Sequence, residues 1–211
     1  MAIVKLVIGK LFIISAPSGA GKTSLARALI ENAANAKMSV SHTTRPRRAS
    51  EVEGVDYFFV SKAQFLNMVD DNTFLEYAEV YGNYYGTSRN AVEQMLAQGV
   101  NVLLDIDWQG ARLVRKEMPQ AVSISILPPS IEELERRLRR RGSDSEDVIK
   151  SRMRKALDEM QHSDESDFQV LNDDFNLALN DLTLILAGES DKLRPLTVNL
   201  ASLLTGSQDQ K

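Results

Sequence analysis

Residues 11–24 read Leu-Phe-Ile-Ile-Ser-Ala-Pro-Ser-Gly-Ala-Gly-Lys-Thr-Ser, an apolar run followed by a glycine-rich turn and a helical pattern. The block Leu11–Ser15 predicts a buried strand, and a helix is expected to begin at Lys22. A glycine-rich turn between a strand and a helix is the context of a phosphate-binding loop, the P-loop. Its backbone N–H groups turn inward around a phosphate at the positive end of the helix. The stretch therefore predicts binding of a nucleoside triphosphate.

The side chains of this loop have separate expected roles. Lys22 is expected to reach the outer phosphates as a compact cation, and the Thr23 hydroxyl to ligate or orient Mg²⁺. Ala16 stands where the first glycine of the motif is expected, which is tolerated if that residue keeps a negative φ. The alternative is a strand-to-helix turn that binds no ligand. The predicted nucleotide contacts are Pro17, Ser18, Gly19, Ala20, Gly21, Lys22, Thr23 and Ser24.

The composition of the 211-residue chain excludes several functional classes. The absence of cysteine excludes disulfides, thiolate metal sites and cysteine nucleophiles, and it is compatible with a reducing cytoplasm. No apolar run approaches the roughly 20 residues of a membrane span or suits an export signal, so we expect a cytoplasmic protein without a membrane partner. The net charge of −4 argues against a nucleic-acid partner. Arginines nevertheless gather at 45–48 and 136–141, which indicates local anion sites.

Apolar blocks alternate with helical patterns, which predicts an α/β fold with a mainly parallel sheet flanked by helices. Ser61 and Gln64 have the spacing of a capping box at a helix start. Between Ser39 and Tyr85 short polar strands that carry aromatic residues indicate an inserted subdomain, and the charged helical stretch from about Glu132 to His162 indicates a second insertion. The predicted strands are 11–15, 102–106, 122–127 and 168–171, and the predicted helices are 22–32, 62–70, 89–98, 130–141, 146–162, 174–187 and 191–204.

The segment between residues 39 and 85 offers groups for a second, anionic substrate. The chain has no Asn-Lys-x-Asp motif of GTPases and is short for a mechanical ATPase, so a small-molecule kinase remains. Residues 39–48 supply hydroxyls and arginines for a phosphate, and Tyr57, Tyr84 and Tyr85 supply further hydroxyls. Glu76 lies in an apolar stretch, and a carboxylate can accept from both the N1–H and the 2-amino group of guanine. Taken alone, Glu76 fits a solvated strand residue better, and a solvated basic loop is the alternative for the arginines.

Four separated motifs, in this order, resemble those of guanylate kinases and most closely the bacterial enzymes. They are Ala-Pro-Ser-Gly-Ala-Gly-Lys at 16–22, Ser-Val-Ser-His-Thr-Thr-Arg at 39–45, Gly-Asn-Tyr-Tyr-Gly-Thr at 82–87 and Asp-Ile-Asp-Trp-Gln-Gly at 105–110. The resemblance implies a P-loop NTPase core with an inserted GMP-binding subdomain and a helical lid. It also implies the reaction ATP + GMP ⇌ ADP + GDP, with Mg²⁺, in purine metabolism.

The same resemblance divides the chain. A guanylate kinase-like domain at 10–188 has its core at 10–38, 90–130 and 164–188, a GMP-binding insertion at about 39–89 and a lid at about 131–163. Residues 189–211 are expected to form a C-terminal helix and a tail that frays at 206–211. The tail from Asp191 onward fits either a last helix packed on the core or an assembly surface, so a homo-oligomer is compatible with the sequence.

The resemblance also implies roles for individual residues. It places the GMP phosphate on Arg45, Arg48, Tyr57 and Tyr85, and guanine on Ser39, Glu76 and Thr87, with Asp107 near the base. Asp105 ends a predicted strand, where a carboxylate can hold Mg²⁺ together with Thr23. Ordinary strand-end acids are the alternative interpretation of Asp105 and Asp107.

For the donor side, the resemblance implies that Arg137, Arg141 and Arg152 contact the phosphates from the lid and act with Lys22 in catalysis. Asn172 is implied as an adenine contact. The other arginines of the lid, Arg136, Arg139 and Arg140, are interpreted as a solvated face offset by Glu132, Glu133 and Glu135 at helical spacings. His42 and His162 are expected to have surface or structural roles.

Two departures from the family pattern affect the expected site and one strand. Where the family usually shows Thr-Thr-Arg-x-Pro-Arg-x-Gly-Glu, residues 43–51 read Thr-Thr-Arg-Pro-Arg-Arg-Ala-Ser-Glu, so Arg47 competes for the role of Arg48. Ser50 then stands at a glycine position and carries strain if that position needs a positive φ. Residues 166–170 are less apolar than a core strand usually is. Two rival functions remain: a catalytically inactive scaffold module of the same fold, and a kinase for another nucleoside monophosphate.

Overall fold

The computed structural model describes residues 8–80, 82–140 and 145–205. Its strands are β1 Leu11–Ser15, β2 Ala36–Met38, β3 His42–Thr43, β4 Phe58–Phe59, β5 Phe74–Val80, β6 Asn83–Ser88, β7 Asn101–Asp105, β8 Val122–Leu127 and β9 Phe168–Leu171. Its helices are α1 Lys22–Asn32, α2 Lys62–Asp70, α3 Arg89–Ala97, α4 Trp108–Glu117, α5 Ile131–Arg140, α6 Glu146–Gln161, α7 Phe175–Ala187 and α8 Leu200–Thr205, with 3₁₀ turns at Ser163–Glu165 and Ser190–Lys192. Across these three ranges, no helix has both the length and the apolar character needed to cross a bilayer.

The larger sheet has five strands in the order β2-β7-β1-β8-β9. The pairs β1/β8, β2/β7 and β8/β9 are parallel, with Phe12 opposite Val122 and Ile124 opposite Phe168. Phe12, Ile13 and Ile14 in β1 are at most 1% exposed. Continuous apolar strands of this kind are typical of parallel sheets covered on both faces. The predicted α/β fold with a mainly parallel sheet flanked by helices is confirmed.

The smaller sheet has four strands in the order β4-β3-β6-β5. Strand β6 pairs antiparallel with both β3 and β5, and β3 pairs parallel with β4. These short strands lie in the part of the chain that the sequence predicts to be an inserted subdomain.

The chain separates into two compact units. One is drawn from Met1–Leu11, Asn35–Leu104 and Gln109–Ala121, and it contains the four-stranded sheet. The other is drawn from Phe12–Ala34, Asp105–Trp108 and Val122–Lys211, and it contains the glycine-rich loop and helices α5 to α8. The finer division into core, insertion and lid stays a prediction.

Several predicted elements are observed. Helix α2 occupies the predicted residues and has its capping box, in which the Gln64 N–H donates to the Ser61 hydroxyl and the Ser61 N–H donates to the Gln64 side chain. Strand β9 also has its predicted bounds despite its polar start. The Asp167 carboxylate just before it accepts from the Ser123 N–H and hydroxyl, both at 2.8 Å, so the polar residues have partners.

The prediction of one helix over 191–204 is wrong. A 3₁₀ turn at Ser190–Lys192 is followed by irregular chain, and helix α8 begins only at Leu200. Pro195 has no N–H to donate and disfavours helical geometry at Arg194, which explains the break. Conversely, the sequence pattern does not indicate α4, because Gly110 and four charged residues obscure its apolar spacing. The expected fraying of 206–211 lies outside the described residues.

Candidate active site

The loop between β1 and α1 has the backbone of a phosphate cradle. Gly19 and Gly21 have φ of 96° and 97°, and Gly21 is the N-cap of α1. Asn72 is the sole non-glycine residue with positive φ in the described ranges, so Ala16 keeps the negative φ that its place in the motif requires. The Ala20 N–H donates to the Pro17 carbonyl at 3.0 Å and tightens the turn. The loop therefore presents N–H groups at the positive end of α1.

Asn172, directly after β9, packs against this loop. Its side-chain amide donates to the Ala20 carbonyl at 2.6 Å, and the residue is 5% exposed. A Cβ added at Gly21 would lie 2.4 Å from the Asn172 amide nitrogen, so glycine is needed there for close approach as well as for φ. The adenine contact expected of Asn172 stays a prediction, whereas its contact with the loop is observed.

Lys22 lies at the carboxyl end of the parallel strands. Its Nζ is 2.6 Å from Asp105 Oδ1 and donates to the Ile106 carbonyl at 3.0 Å. Asp105 is the last residue of β7, and the Ile106 N–H donates to the Ile14 carbonyl in β1 at 3.4 Å. Ligands of parallel α/β sheets bind at this edge. The two residues expected at the outer phosphates and at the metal are therefore in contact.

Arg137 of α5 also reaches the loop. Its Nη2 donates to the Asn172 carbonyl at 3.0 Å, and its Nη1 donates to the Ala20 carbonyl at 3.5 Å. Its Nε donates to Glu133 at 2.7 Å, and Arg136 donates to the same carboxylate at 2.6 and 2.8 Å. The hydrogen bonds from Arg136 and then Arg137 lower the pKa of Glu133 to about 2. Arg137 thus differs from Arg136 in reaching the loop, whereas its expected contact with the phosphates stays a prediction.

The other residues predicted for the lid and the ATP site have the following positions. Arg139 pairs with Glu135 and Glu146, which agrees with the predicted solvated face. Thr23 and Ser24 are exposed in the first turn of α1, Asp107 lies between β7 and α4, and Arg152 is half-buried on α6. Arg141 lies outside the described residues.

Sequence reasoning missed Glu159 of α6. Its Oε2 accepts a hydrogen bond from the Ser18 N–H, a member of the phosphate cradle, at 3.0 Å. The Glu159 side chain is 12% exposed, and burial raises its pKa above the ordinary value despite the attraction of Lys155. No local motif signals this contact, because the two residues are 141 positions apart.

In the other unit, strand β6 presents candidate ligands on one face and core residues on the opposite face. Tyr85 and Thr87 are two residues apart, so they share a face at a spacing of about 7 Å. On the opposite face a Cβ at Gly86 would lie 2.9 Å from the Phe74 ring, and the Tyr84 ring packs 5.4 Å from the Phe65 ring. Tyr85 and Thr87 therefore lie away from this aromatic core.

A β-bulge brings Glu76 to Thr87. Phe74 pairs with Ser88, but Glu76 pairs with Thr87, so the register shifts between them. Simple alternation would put Phe74 and Glu76 on one face, whereas a bulge redirects the following side chain. The Thr87 hydroxyl donates to Glu76 Oε1 at 2.5 Å, and Glu76 is 7% exposed. The solvated-strand interpretation of Glu76 is therefore excluded by its burial.

Arg45 forms the cationic part of this unit's candidate site. Its guanidinium lies 5.6 Å from the Tyr57 ring centre and hydrogen-bonds the Tyr85 hydroxyl. The Tyr57 and Tyr85 rings are 6.0 Å apart. Glu51, which the sequence reasoning did not select, accepts from Arg45 at 2.6 Å, and this bond lowers the pKa of the Glu51 carboxyl. The structure thus brings together three of the four residues expected at the GMP phosphate.

Arg48, the fourth, is more loosely placed. Its side chain is 72% exposed and lies 3.8 Å from Glu51, to which its backbone N–H donates at 2.8 Å. Ser50 lies in the same turn without a positive φ, so the expected strain is absent there. The hydroxyl oxygen of Ser39 is buried without a hydrogen-bond partner, which suits a ligand contact.

The two histidines have structural contacts. The His42 ring stacks on Phe58 with centres 4.8 Å apart, and burial lowers its pKa. The His162 ring stacks on Trp108 at 3.6 Å, and its Nδ1 is 2.7 Å from Glu165.

The donor groups present fit Mg²⁺ bound with a nucleotide. Within the described ranges no group of three or more His, Asp or Glu side chains is suited to hold a metal. Mg²⁺ commonly uses one or two carboxylates and takes its other ligands from phosphates and water. The Asp105 carboxylate and the Thr23 hydroxyl match that requirement.

Comparisons with known proteins all give the same family. A family model described as guanylate kinase matches residues 8–189. The guanylate kinase of Yersinia pestis bv. Antiqua is 56% identical over 190 residues, which cover 89% of this chain and 92% of the relative. That of Escherichia coli K12 is 57% identical over 183 residues, or 86% and 88%. The crystal structure of guanylate kinase from Anaplasma phagocytophilum has a TM-score of 0.71 at 37% identity, covering 88% of each chain.

Proposed function

The chain belongs to the guanylate kinase family, and we propose on that premise that it transfers the γ-phosphate of ATP to GMP, giving ADP and GDP. The observation that carries the choice of acceptor is the buried Glu76 carboxylate, hydrogen-bonded by Thr87 and placed on strands that also present Tyr85. A buried carboxylate requires hydrogen-bond donors, and guanine offers a matched pair in its N1–H and 2-amino groups.

On the acceptor side, guanine donates its N1–H and 2-amino hydrogens to Glu76, with the Ser39 hydroxyl as a further contact. Thr87 directs the carboxylate through its own hydrogen bond. Arg45, Tyr57 and Tyr85 bind the phosphate, and Arg48 adds a solvent-exposed cation. The spacing of about 7 Å between Tyr85 and Thr87 along one face of β6 suits a ligand with a base at one end and a phosphate at the other.

On the donor side, the loop Pro17–Ser24, through the N–H groups that follow the proline, and the Lys22 ammonium hold the phosphates of ATP, with Asn172 beside the adenine. An oxygen of the GMP phosphate attacks the γ-phosphorus in line, the bond to the β,γ-bridging oxygen breaks, and ADP leaves. Lys22, Arg137, Arg141 and Arg152 stabilise the charge on the transferred group. Asp105 and Thr23 would hold Mg²⁺, which would neutralise negative charge on the phosphates.

A coupled ADP-release assay with ATP tests the proposal on four acceptors, GMP, AMP, CMP and UMP, with and without Mg²⁺. We expect turnover with GMP alone and loss of turnover when Mg²⁺ is chelated. Turnover with another monophosphate would keep the reaction and reject the guanine assignment of Glu76. A folded protein that binds GMP and turns over none of the four would instead support the inactive scaffold module.

A further inference from the structure

The segment after α7 lies in the unit that contains the glycine-rich loop. The family match ends at residue 189, and residues 190–205, here called the C-terminal strap, lie beyond it. In the strap, Leu203 is 8% exposed and packs in one apolar cluster with Leu134 of α5 and with Ala156 and Met160 of α6. The strap is therefore fixed at its far end to the helix that carries Arg137.

Arg194 fixes the near end of the strap to β9 and α7. Its Nε donates to Asp181 at 2.8 Å, its Nη1 to Asp173 at 3.1 Å, and its Nη2 to the Leu171 carbonyl at 3.0 Å. The Asp181 side chain is only 6% exposed. Burial acts to raise the pKa of Asp173, but hydrogen bonds from the Asp174 N–H and from Arg194 outweigh it and lower that pKa. A planar guanidinium is suited to holding several acceptors in one fixed geometry.

Asn172 lies between Leu171 and Asp173, two of the three residues that Arg194 contacts. Its N–H donates to the Leu127 carbonyl at 2.8 Å, its carbonyl accepts from Arg137, and its amide donates to Ala20 in the loop. The polar groups of Asn172 thus join the end of β8, the α5 arginine and the phosphate cradle. Any shift of the backbone at 171–173 moves these three contacts together.

We propose that Arg194 is a positioning residue for the ATP site, because it clamps the residues on both sides of Asn172 and so sets the loop and Arg137 in register. The proposal rests on the proposed function, since it assigns the nucleotide triphosphate to this loop. Arg194 touches no substrate in this scheme and acts only through Asn172. A merely structural arginine would stabilise the fold without favouring one of the two substrates.

Steady-state kinetics, measured with ATP and GMP varied in turn, distinguish a positioning role of Arg194 from a purely structural one. For Arg194→Ala, we expect the KM for ATP to rise about tenfold, which corresponds to about 1.4 kcal/mol, and the KM for GMP to stay within about twofold. Arg194→Lys keeps the charge but reaches fewer acceptors, so it should be intermediate. Lys192→Ala is the matched control, because Lys192 pairs with Glu189 at 2.9 Å in the same segment and both are exposed.

A double-mutant cycle tests whether Arg194 acts through Asn172. If Arg194 acts through Asn172, Arg194→Ala should add little to the ATP defect of Asn172→Ala, because the clamped group is already gone. Additive effects, equal rises in both KM values, or the same result for Lys192→Ala would overturn the proposal. If Arg194→Ala does not fold, the same comparison is made with Arg194→Lys, assayed below its melting temperature.

Failure of the proposed function is recognised separately. Wild-type protein is assayed first for turnover with ATP and GMP, and absence of turnover refutes the phosphotransfer assignment. The positioning role is then tested by calorimetric measurement of ATP affinity in the wild-type protein and in Arg194→Ala. A wild-type affinity that Arg194→Ala does not weaken overturns the inference, and a selective loss supports it.

Discussion

Glu76→Gln should selectively weaken the use of GMP. The Glu76 carboxylate accepts from the Thr87 hydroxyl at 2.5 Å, and a carboxylate has two oxygens that can each accept one of the two guanine N–H groups. A glutamine has one oxygen, and its NH₂ group would face a second donor. The variant therefore loses one charge-assisted hydrogen bond, about 1.5–3 kcal/mol, which is about a 10- to 150-fold fall in kcat/KM for GMP.

The assay compares GMP with IMP, which lacks the 2-amino group, by coupled ADP release at saturating ATP. IMP needs only one acceptor, so Glu76→Gln should impair it less, and the preference for GMP over IMP should fall about tenfold or more. Glu79→Gln removes the same charge from an exposed position on the same strand and should change neither substrate. Equal losses with GMP and IMP, or equal effects of the two variants, would refute the guanine-reading role of Glu76.

Three further outcomes are expected. Lys22→Met should lower kcat about 10²–10³-fold without unfolding the protein, as seen by single-turnover kinetics and circular dichroism, because one cation aimed at the transferring charge is worth about 2.7–4 kcal/mol. Gly21→Ala should lower the free energy of unfolding in urea more than Gly82→Ala does. Both glycines have positive φ, but a Cβ at Gly21 would lie 2.4 Å from the buried Asn172 amide nitrogen, whereas a Cβ at Gly82 would have no neighbouring atom within 4 Å. Equal losses of stability would contradict this prediction. Glu133→Gln should lower the free energy of unfolding at pH 7 by up to about 1 kcal/mol. Because the bond from Arg136 lowers the folded pKa of Glu133 to about 2, that difference should persist above pH 4.5 and vanish as the pH falls through 2, and a pH-independent gap would reject this assignment.

The geometry of the glycine-rich loop could be predicted well because contiguous residues specify it, whereas its role at the ATP site stays a prediction. The apolar block Leu11–Ser15 and the glycines before Lys22 specify strand, turn and helix locally, and the strand and helix begin where the pattern indicates. Asp105 follows from the same logic, since the carboxyl ends of parallel strands share one edge. The Lys22–Asp105 contact is thus a consequence of elements that the sequence specifies separately.

The acceptor half could be predicted only in part. Glu76 is recognisable in the sequence as an acidic residue in an apolar stretch. Its burial, however, depends on a register shift that no local sequence pattern predicts. Glu51 and Glu159 were missed for a related reason. A carboxylate that pairs with a distant backbone N–H or with an arginine across a turn has no periodicity of its own. Arg194 is of the same kind, since its three acceptors come from elements that only the fold brings together.

Three hydrogen-bond donors that are proposed to bind phosphate, Lys22, Arg45 and the Ser18 N–H, each contact a carboxylate in this structure. The number of hydrogens that each donor can share separates these pairs into two kinds. Arg45 has five N–H groups and Lys22 three, so each can keep Glu51 or Asp105 and still donate to a phosphate. A backbone N–H has one hydrogen, so the Ser18 N–H, if it binds phosphate as proposed, would give up or share its hydrogen bond to Glu159. Burial raises the pKa of Glu159, because removal from water disfavours the charged carboxylate. On the proposed assignments, nucleotide binding would therefore leave the two ion pairs in place but compete with the Glu159 carboxylate for the Ser18 N–H.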